Sequence, residues 1–301
     1  MTGSIIKGDP KFKGSMTALI TPFKDGQFDE KSFKEIVENQ IKSGTDGLIP
    51  VGTTGESPTL THQEHDKVVE ICIDINSGRV PVIAGAGSNS TDEAKNLASH
   101  AAKSGADAVL VVAPYYNKPT QSGLYSHFMS VADAAKIPLI VYDIPGRSIV
   151  SVSDETFVRL CEDHELILGI KDATADIARP PRLRNLIGSG FSQLSGEDAT
   201  ALPYLAAGGH GCISVTSNIA PKELAQMHDF WNSGDFSSAF EIHSKLINLH
   251  DALFCESSPG PVKYAAELIN LCSSETRMPI VEIAERSKKQ VREALTLLGL
   301  I

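Results

Sequence analysis

The stretch Glu165-Leu166-Ile167-Leu168-Gly169-Ile170-Lys171-Asp172-Ala173-Thr174 decides how the chain is read. Leu166–Ile170 is a short apolar run of the kind that forms a parallel strand buried on both faces. Lys171 stands where the run stops. A charged ammonium is costly at the end of a buried strand, and desolvation favours the neutral amine. A neutral amine is a nucleophile that forms a Schiff base with a carbonyl compound. The plainer alternative is a lysine that leaves the sheet and snorkels to water. The rest of the chain decides between the two.

Runs like this one recur at Ser15–Ile20, Gly47–Val51, Val80–Ala84, Ala108–Val112, Leu139–Tyr142, Leu166–Lys171, Phe191–Ser195 and Gly211–Val215. Their spacing of roughly 20–33 residues is that of a strand plus a crossover helix. The gaps carry helical patterns. Glu30–Ser43 places Phe33, Ile36, Val37 and Ile41 on one face, and His62–Asn76 does the same with Val68, Val69, Cys72 and Ile73. Ser90-Thr91-Asp92 caps a helix that reaches Lys103, and Gly44, Gly78, Gly105 and Gly188 stand at helix ends. Eight such units specify an α/β protein of the (β/α)8 TIM-barrel class. A doubly wound open sheet is the competing arrangement, but no complete phosphate fingerprint follows the first strand.

From Asn232 onward the rhythm changes. Asp235–Cys255, Pro259–Cys272 and Val281–Leu298 read as helices with no strands between them. The expected organisation is a loose leader over 1–13, a catalytic barrel over 14–232 and a small helical extension over 233–301. The extension supports the barrel or serves oligomer contacts.

Composition narrows the function. The 301 residues are 42% hydrophobic and 21% charged, ordinary for a globule, and the formal charge of −10 argues against nucleic acid. No apolar run of membrane-spanning length occurs, and Met1–Lys13 lacks the hydrophobic core of a secretory signal. Five scattered cysteines without a CxxC pair fit a reducing cytoplasm and no structural zinc.

In a barrel the C-terminal strand ends carry the chemistry. Here those ends hold Gly52-Thr53-Thr54-Gly55-Glu56-Ser57, Pro114-Tyr115-Tyr116-Asn117, Tyr142, Arg147, Lys171 and Gly196-Glu197-Asp198. Gly52–Glu56 is read as opening a helix, so that backbone N–H groups, hydroxyls and a helix N-terminus hold a small carboxylate. A tight turn with a capping threonine is its plainer reading. Tyr142 and Lys171 end neighbouring strands, and a phenol beside an amine shuttles protons as an imine forms and breaks. Arg147 on a turn clamps a carboxylate or makes a surface salt bridge. Gly85-Ala-Gly-Ser-Asn-Ser90 is only half of a dinucleotide loop. His62 and His65, three apart on one helix, lack a third metal ligand at matching spacing.

Taken together, Gly-Thr-Thr-Gly-Glu at 52–56, Pro-Tyr-Tyr-Asn at 114–117, Tyr-Asp-Ile-Pro-Gly-Arg at 142–147 and Gly-Ile-Lys-Asp at 169–172 resemble the dihydrodipicolinate synthase family. The resemblance runs from about Gly14 to the C-terminus. It implies a class I aldolase-type condensation of pyruvate with L-aspartate 4-semialdehyde, with Lys171 as the imine-forming amine and no metal or organic cofactor. By motif position, Tyr142 is the proton donor and acceptor, and Thr53 and Tyr116 complete a relay, Tyr116 reaching in from a neighbouring subunit. Thr54, Gly196 and the Ile213 carbonyl fall at the pyruvate site and Arg147 at the semialdehyde carboxylate. The resemblance also implies a homotetramer of two tight dimers, and an L-lysine effector pocket formed by Ser57, His62, His65, Asn89, Glu93 and Tyr115. Pro58 and Asp143 depart from the family pattern, Asp143 standing where Asn commonly follows the tyrosine. An acid there either alters the phenol's titration or pairs with a cation.

Overall fold

The computed structural model describes residues 10–301. Strands and helices alternate as β1 (Gly14–Ala18), α1 (Glu30–Lys42), β2 (Gly47–Ile49), α2 (His62–Asn76), β3 (Ile83–Gly85), α3 (Thr91–Ser104), β4 (Ala108–Val112), α4 (Gln121–Ala135), β5 (Leu139–Asp143), α5 (Asp154–Asp163), β6 (Ile167–Asp172), α6 (Arg179–Ile187), β7 (Ser192–Ser195), α7 (Ala201–Ala206), β8 (Gly211–Ser214) and α8 (Pro221–Ser233). This is the element order of a (β/α)8 barrel. Among the described residues only helices follow β8, and the extension consists of α9 (Phe236–Leu253), α10 (Gly260–Leu268) and α11 (Glu285–Leu297). No helix among them is long and apolar enough to cross a membrane.

The described residues group into two compact units. One is built on Pro81–Ile213, the other on Gly14–Val80 with Ser214–Ile301. Within the first, the strands lie in the sequential order β3-β4-β5-β6-β7-β8 and every pair is parallel. A doubly wound sheet would reverse its strand order at a switch point. Within this unit there is no reversal. Val109, Val111, Ile140, Val141, Ile170 and Leu194 are fully buried, consistent with strands covered on both faces.

The register contains one decisive irregularity. Leu139 pairs with Ile167, but the next pair is Ile140 with Gly169, so Leu168 is an extra residue in β6. Continued without this bulge, the register would set Tyr142 opposite Ile170. With it, Tyr142 pairs with Lys171 and Asp143 with Asp172. Bulges re-aim side chains in this way beside functional sites.

Within the second unit, β1 pairs in parallel with β2. A small hairpin, Phe23–Lys24 with Gln27–Phe28, turns on Asp25-Gly26, both with positive φ (52° and 77°). Asp-Gly is the sequence signal for such a turn. The third strand starts later than expected, at Ile83 instead of Val80. Pro81 has no N–H to give a ladder, and the Val80 carbonyl is taken by Asn76 Nδ2 at 2.7 Å. The leader expected over 1–13 lies outside the described residues as far as residue 9. Phe12 is fully buried, and its N–H donates to Ser192 Oγ at 3.0 Å.

A buried and a half-buried histidine tie the first unit's stability to pH. His127, on α4, meets Thr91 Oγ1 through Nδ1 at 3.0 Å, and burial pushes its pKa from 6.5 to about 4. His210 accepts from the Gln193 N–H at 3.0 Å, and burial, with Arg184 and Lys13 nearby, takes it to about 4 as well. Between pH 6.5 and 4 the unfolded chain therefore binds more protons than the folded one, and stability falls as pH drops through that window. The midpoint of urea unfolding should fall from pH 7 to pH 4.5, and His127→Gln should flatten that slope. An unchanged slope in the variant would show that His127 stays accessible to protons.

Candidate active site

Lys171 does not snorkel. It is 5% exposed, Tyr142 beside it is 6% exposed, and Lys171 Nζ lies 4.4 Å from the centroid of the Tyr142 ring. The backbone around the pair is held by ladder bonds that continue past the strand ends. Ala113 N–H donates to Tyr142 O (2.9 Å), Ala173 N–H to Asp143 O (2.9 Å) and Gly196 N–H to Asp172 O (2.7 Å). Gly196 has a steric reason to be glycine. A Cβ there would stand 2.8 Å from Ala173 Cβ and 3.1 Å from Lys171 Cε, pressing on the lysine stem. Ile213, in β8, is buried one residue past Cys212, which pairs with Ser195. Glu197, next to Gly196, has its carboxyl pushed up by burial and by Asp198, while Lys171 pulls it down. The amine thus faces an aromatic ring on one neighbouring strand and an acidic corner on the other.

Asp143 pairs with a cation. It is fully buried, and its Oδ2 accepts from Arg179 Nη1 at 2.7 Å and from Ser151 Oγ at 2.8 Å. Sequence reasoning missed Arg179, which lies 36 residues away and shares no local pattern with Asp143. Arg147 is on a single helical turn, Pro145–Ser148, where it is exposed and pairs with no carboxylate among the described residues. Tyr116 is 84% exposed with φ of 72°, a non-glycine residue in the left-handed region. Asn117 Nδ2 anchors this loop to Asn89 O at 2.8 Å.

The Gly-Thr-Thr-Gly-Glu segment belongs to the other unit, and its expected form is corrected. It does not open an α-helix. Gly55 N–H donates to Gly52 O and Glu56 N–H to Thr53 O, both at 3.1 Å, and a single 3₁₀ turn follows at Ser57–Thr59. Helix α2 starts only at His62, under its own capping box of Thr61 and Glu64. No helix N-terminus therefore springs directly from Thr53-Thr54, and what the turn offers a carboxylate is its hydroxyls and local backbone. Thr54 is buried and Thr53 half-buried. Gly55 is required for closeness, since a Cβ would come within 3.0 Å of Val51 Cα. Val51 and Glu56, at φ of 50° and 56°, are non-glycine residues in the left-handed region, each costing about 1–3 kcal/mol.

The strain is held by the helical extension. Glu56 Oε1 accepts from Lys263 Nζ at 2.6 Å, and Oε2 from the Arg277 N–H at 2.9 Å. Lys263, on α10, is fully buried. Its Nζ also donates to Glu275 O at 2.6 Å and lies 4.0 Å from the Phe23 ring centroid. Burial pushes its ammonium down, and Glu56 opposes that. Arg277 stacks on the same ring and forks onto both oxygens of Glu64, at 2.6 and 2.8 Å. A lone lysine in Gly-Pro-Val-Lys-Tyr-Ala-Ala, residues 260–266, was the available signal.

Residues 11–298 match the dihydrodipicolinate synthetase family. The chain belongs to this family. It is 57% identical over 292 residues to the 4-hydroxy-tetrahydrodipicolinate synthase of Gluconacetobacter diazotrophicus, covering 96% of this chain and 98% of that one. Among solved structures, the chloride-inhibited dihydrodipicolinate synthase of Acinetobacter baumannii, complexed with pyruvate, superposes with a TM-score of 0.94. The identity is 43%, with 97% of this chain and 100% of that one covered. The enzyme of Cyanidioschyzon merolae with lysine bound also gives 0.94, at 36% identity, over 97% and 100% of the two chains.

The residues expected to form an effector pocket divide between the two units. Asn89 and Tyr115 are half-buried in the first, and Glu93 there accepts from the buried Ser88 hydroxyl. In the second, Ser57 is half-buried, His62 exposed and His65 buried. Among the described residues no set of three His, Cys, Asp or Glu side chains could hold a metal.

Removing Lys263 should show how much the turn leans on it. Lys263→Met leaves the Glu56 charge buried without its ammonium partner, for an expected loss of about 3–5 kcal/mol in urea unfolding. The double variant Lys263→Met/Glu56→Gln should regain at least half of it. A single variant of wild-type stability would contradict the role given to the pair.

Proposed function

We propose that the chain condenses pyruvate with L-aspartate 4-semialdehyde through a Lys171 Schiff base, giving 4-hydroxy-tetrahydrodipicolinate for diaminopimelate and lysine biosynthesis. The observation that carries this reading is the buried Lys171 amine over the Tyr142 ring, in a chain of this family.

In this scheme Lys171 Nζ attacks the keto carbon of pyruvate, and the carbinolamine loses water to give the imine. A methyl proton then leaves to form the enamine, the imine nitrogen acting as electron sink, so the scheme calls on no metal or organic cofactor. The enamine carbon adds to the aldehyde, whose oxygen takes a proton and becomes the 4-hydroxyl. The adduct's own amino group attacks the imine carbon, expels Lys171 and closes the ring. Tyr142 hands over and takes back the protons, with Thr53 and the Tyr116 hydroxyl of a neighbouring copy completing the relay. The exposure of Tyr116 supports a role outside its own fold.

Thr54 holds the pyruvate carboxylate, and Gly196 and the Ile213 carbonyl border the imine site. The exposed, unpaired guanidinium of Arg147 suits the semialdehyde carboxylate, to which it can donate a bidentate pair. Ser57, His62, His65, Asn89, Glu93 and Tyr115 form the candidate L-lysine effector pocket. The working unit is a homotetramer of two tight dimers in the cytoplasm, each subunit a barrel over 14–232 with its helical extension over 233–301.

Incubation with pyruvate and borohydride should leave a reduced three-carbon adduct on Lys171, seen by peptide mass mapping, and abolish activity. Its absence would end the proposal. Lys171→Ala should lose the adduct and nearly all turnover. Arg147→Ala should raise the KM for the semialdehyde about 10–100-fold while the KM for pyruvate moves less than about twofold, as expected for one lost charge-assisted contact. Equal effects on both substrates would place Arg147 elsewhere.

A further inference from the structure

Tyr142 and Lys171 are each followed by an aspartate, and the two aspartates are themselves a cross-strand pair. Side chains alternate along a strand, so Asp143 and Asp172 lie on the sheet face opposite the phenol and the amine. Both are buried, as is the cation between them, Arg179, at 3% exposure. Nη1 of Arg179 donates to Asp143 at 2.7 Å and stands 3.7 Å from Asp172 Oδ1. Its Nε donates to Asp154 at 2.9 Å, and its Nη2 to Val152 O at 2.6 Å.

The loop that delivers Arg179 is wound tightly. Thr174 donates to Asp172 Oδ1 through both its N–H (3.0 Å) and its hydroxyl (2.6 Å). The Asp176 N–H then donates to Thr174 Oγ1 (3.2 Å) and the Ala178 N–H to Asp176 Oδ1 (3.0 Å).

The arrangement is a poor way to gain stability. Arg179 opens α6, and a helix N-terminus repels a cation. A well-packed apolar group of similar volume is often as stabilising as a buried ion pair, or more so. What the guanidinium supplies and an apolar group cannot is a rigid fork that holds several acceptors in fixed positions.

We infer that Arg179 is a positioning residue: by gripping Asp143 and Asp172 from behind the sheet, it fixes the separation of the Tyr142 phenol and the Lys171 amine on the front. The inference rests on the function proposed above, in which those two groups exchange protons. Each carboxylate is one residue from a reacting side chain, so a slip of the clamp moves one strand end against the other. A displacement of about 1 Å at such a site costs on the order of 100-fold in rate.

The test compares Arg179→Lys with the wild type, each preparation standardised by titrating Lys171 with pyruvate and borohydride. Lysine keeps the charge and loses the fork. The expected result is a kcat about 10–100-fold lower per titrated site, an equally slowed approach to the adduct, and a pyruvate KM within about twofold. Asp143→Asn keeps an oxygen for Nη1 and should lose about tenfold less than Asp143→Leu. If Arg179→Lys does not fold, Arg179→Met with Asp143→Asn and Asp172→Asn removes the charges at similar volume and should fold while keeping the rate defect. Wild-type kcat per titrated site in any folded variant lacking the fork would overturn the inference. So would a loss of activity that only matches the loss of titratable sites. A wild type that yields no Lys171 adduct would remove the functional reading itself, and the clamp's role with it.

Discussion

One contact organises the candidate site: a lysine amine held inside the end of a parallel sheet, against the ring of a tyrosine on the next strand. A lysine stem is long and mobile, and left alone it carries its charge to water. Here it stays inside, 5% exposed. The bulge at Leu168 sets the cross-strand partner, Gly196 leaves the stem room that a Cβ would take, and continued ladder bonds hold the backbone beyond the strand ends.

Two of the buried ion pairs each adjoin a candidate site segment. In one unit Arg179 stands behind Tyr142 and Lys171; in the other Lys263 stands behind the Thr53-Thr54 turn. Both break local rules, a cation at a helix start and a lysine with no exposure at all. Such violations are expected where geometry matters more than stability.

Much of the fold was legible. Eight apolar runs at the spacing of strand plus crossover, separated by amphipathic segments, overlap the eight strands, and the three terminal helices fall where the rhythm changes. These features are local, and so are the forces behind them. What could not be read depends on distance or on residue counts. Leu166–Ile170 is uniformly apolar, so nothing in it marks Leu168 as supernumerary. The turn at 52–56 resembles a helix start because its glycines and threonines suit both, and only the later cap at Thr61 separates them. His62 and His65 look equivalent on a helical wheel, yet one faces outward and the other is buried. The partner of Asp143 comes from the next crossover, which no pattern around residue 143 reveals.

The tie between Glu56 and Lys263 spans 207 positions of chain. A nascent polypeptide emerges from its N-terminus, so the threonine turn is synthesised long before the ammonium that neutralises its neighbouring acid. Until α10 and Arg277 have left the ribosome, the Glu56 carboxylate lacks the two donors that hold it in the folded chain. The segment made early therefore gains these two contacts only once residues more than 200 positions further along the chain have been made.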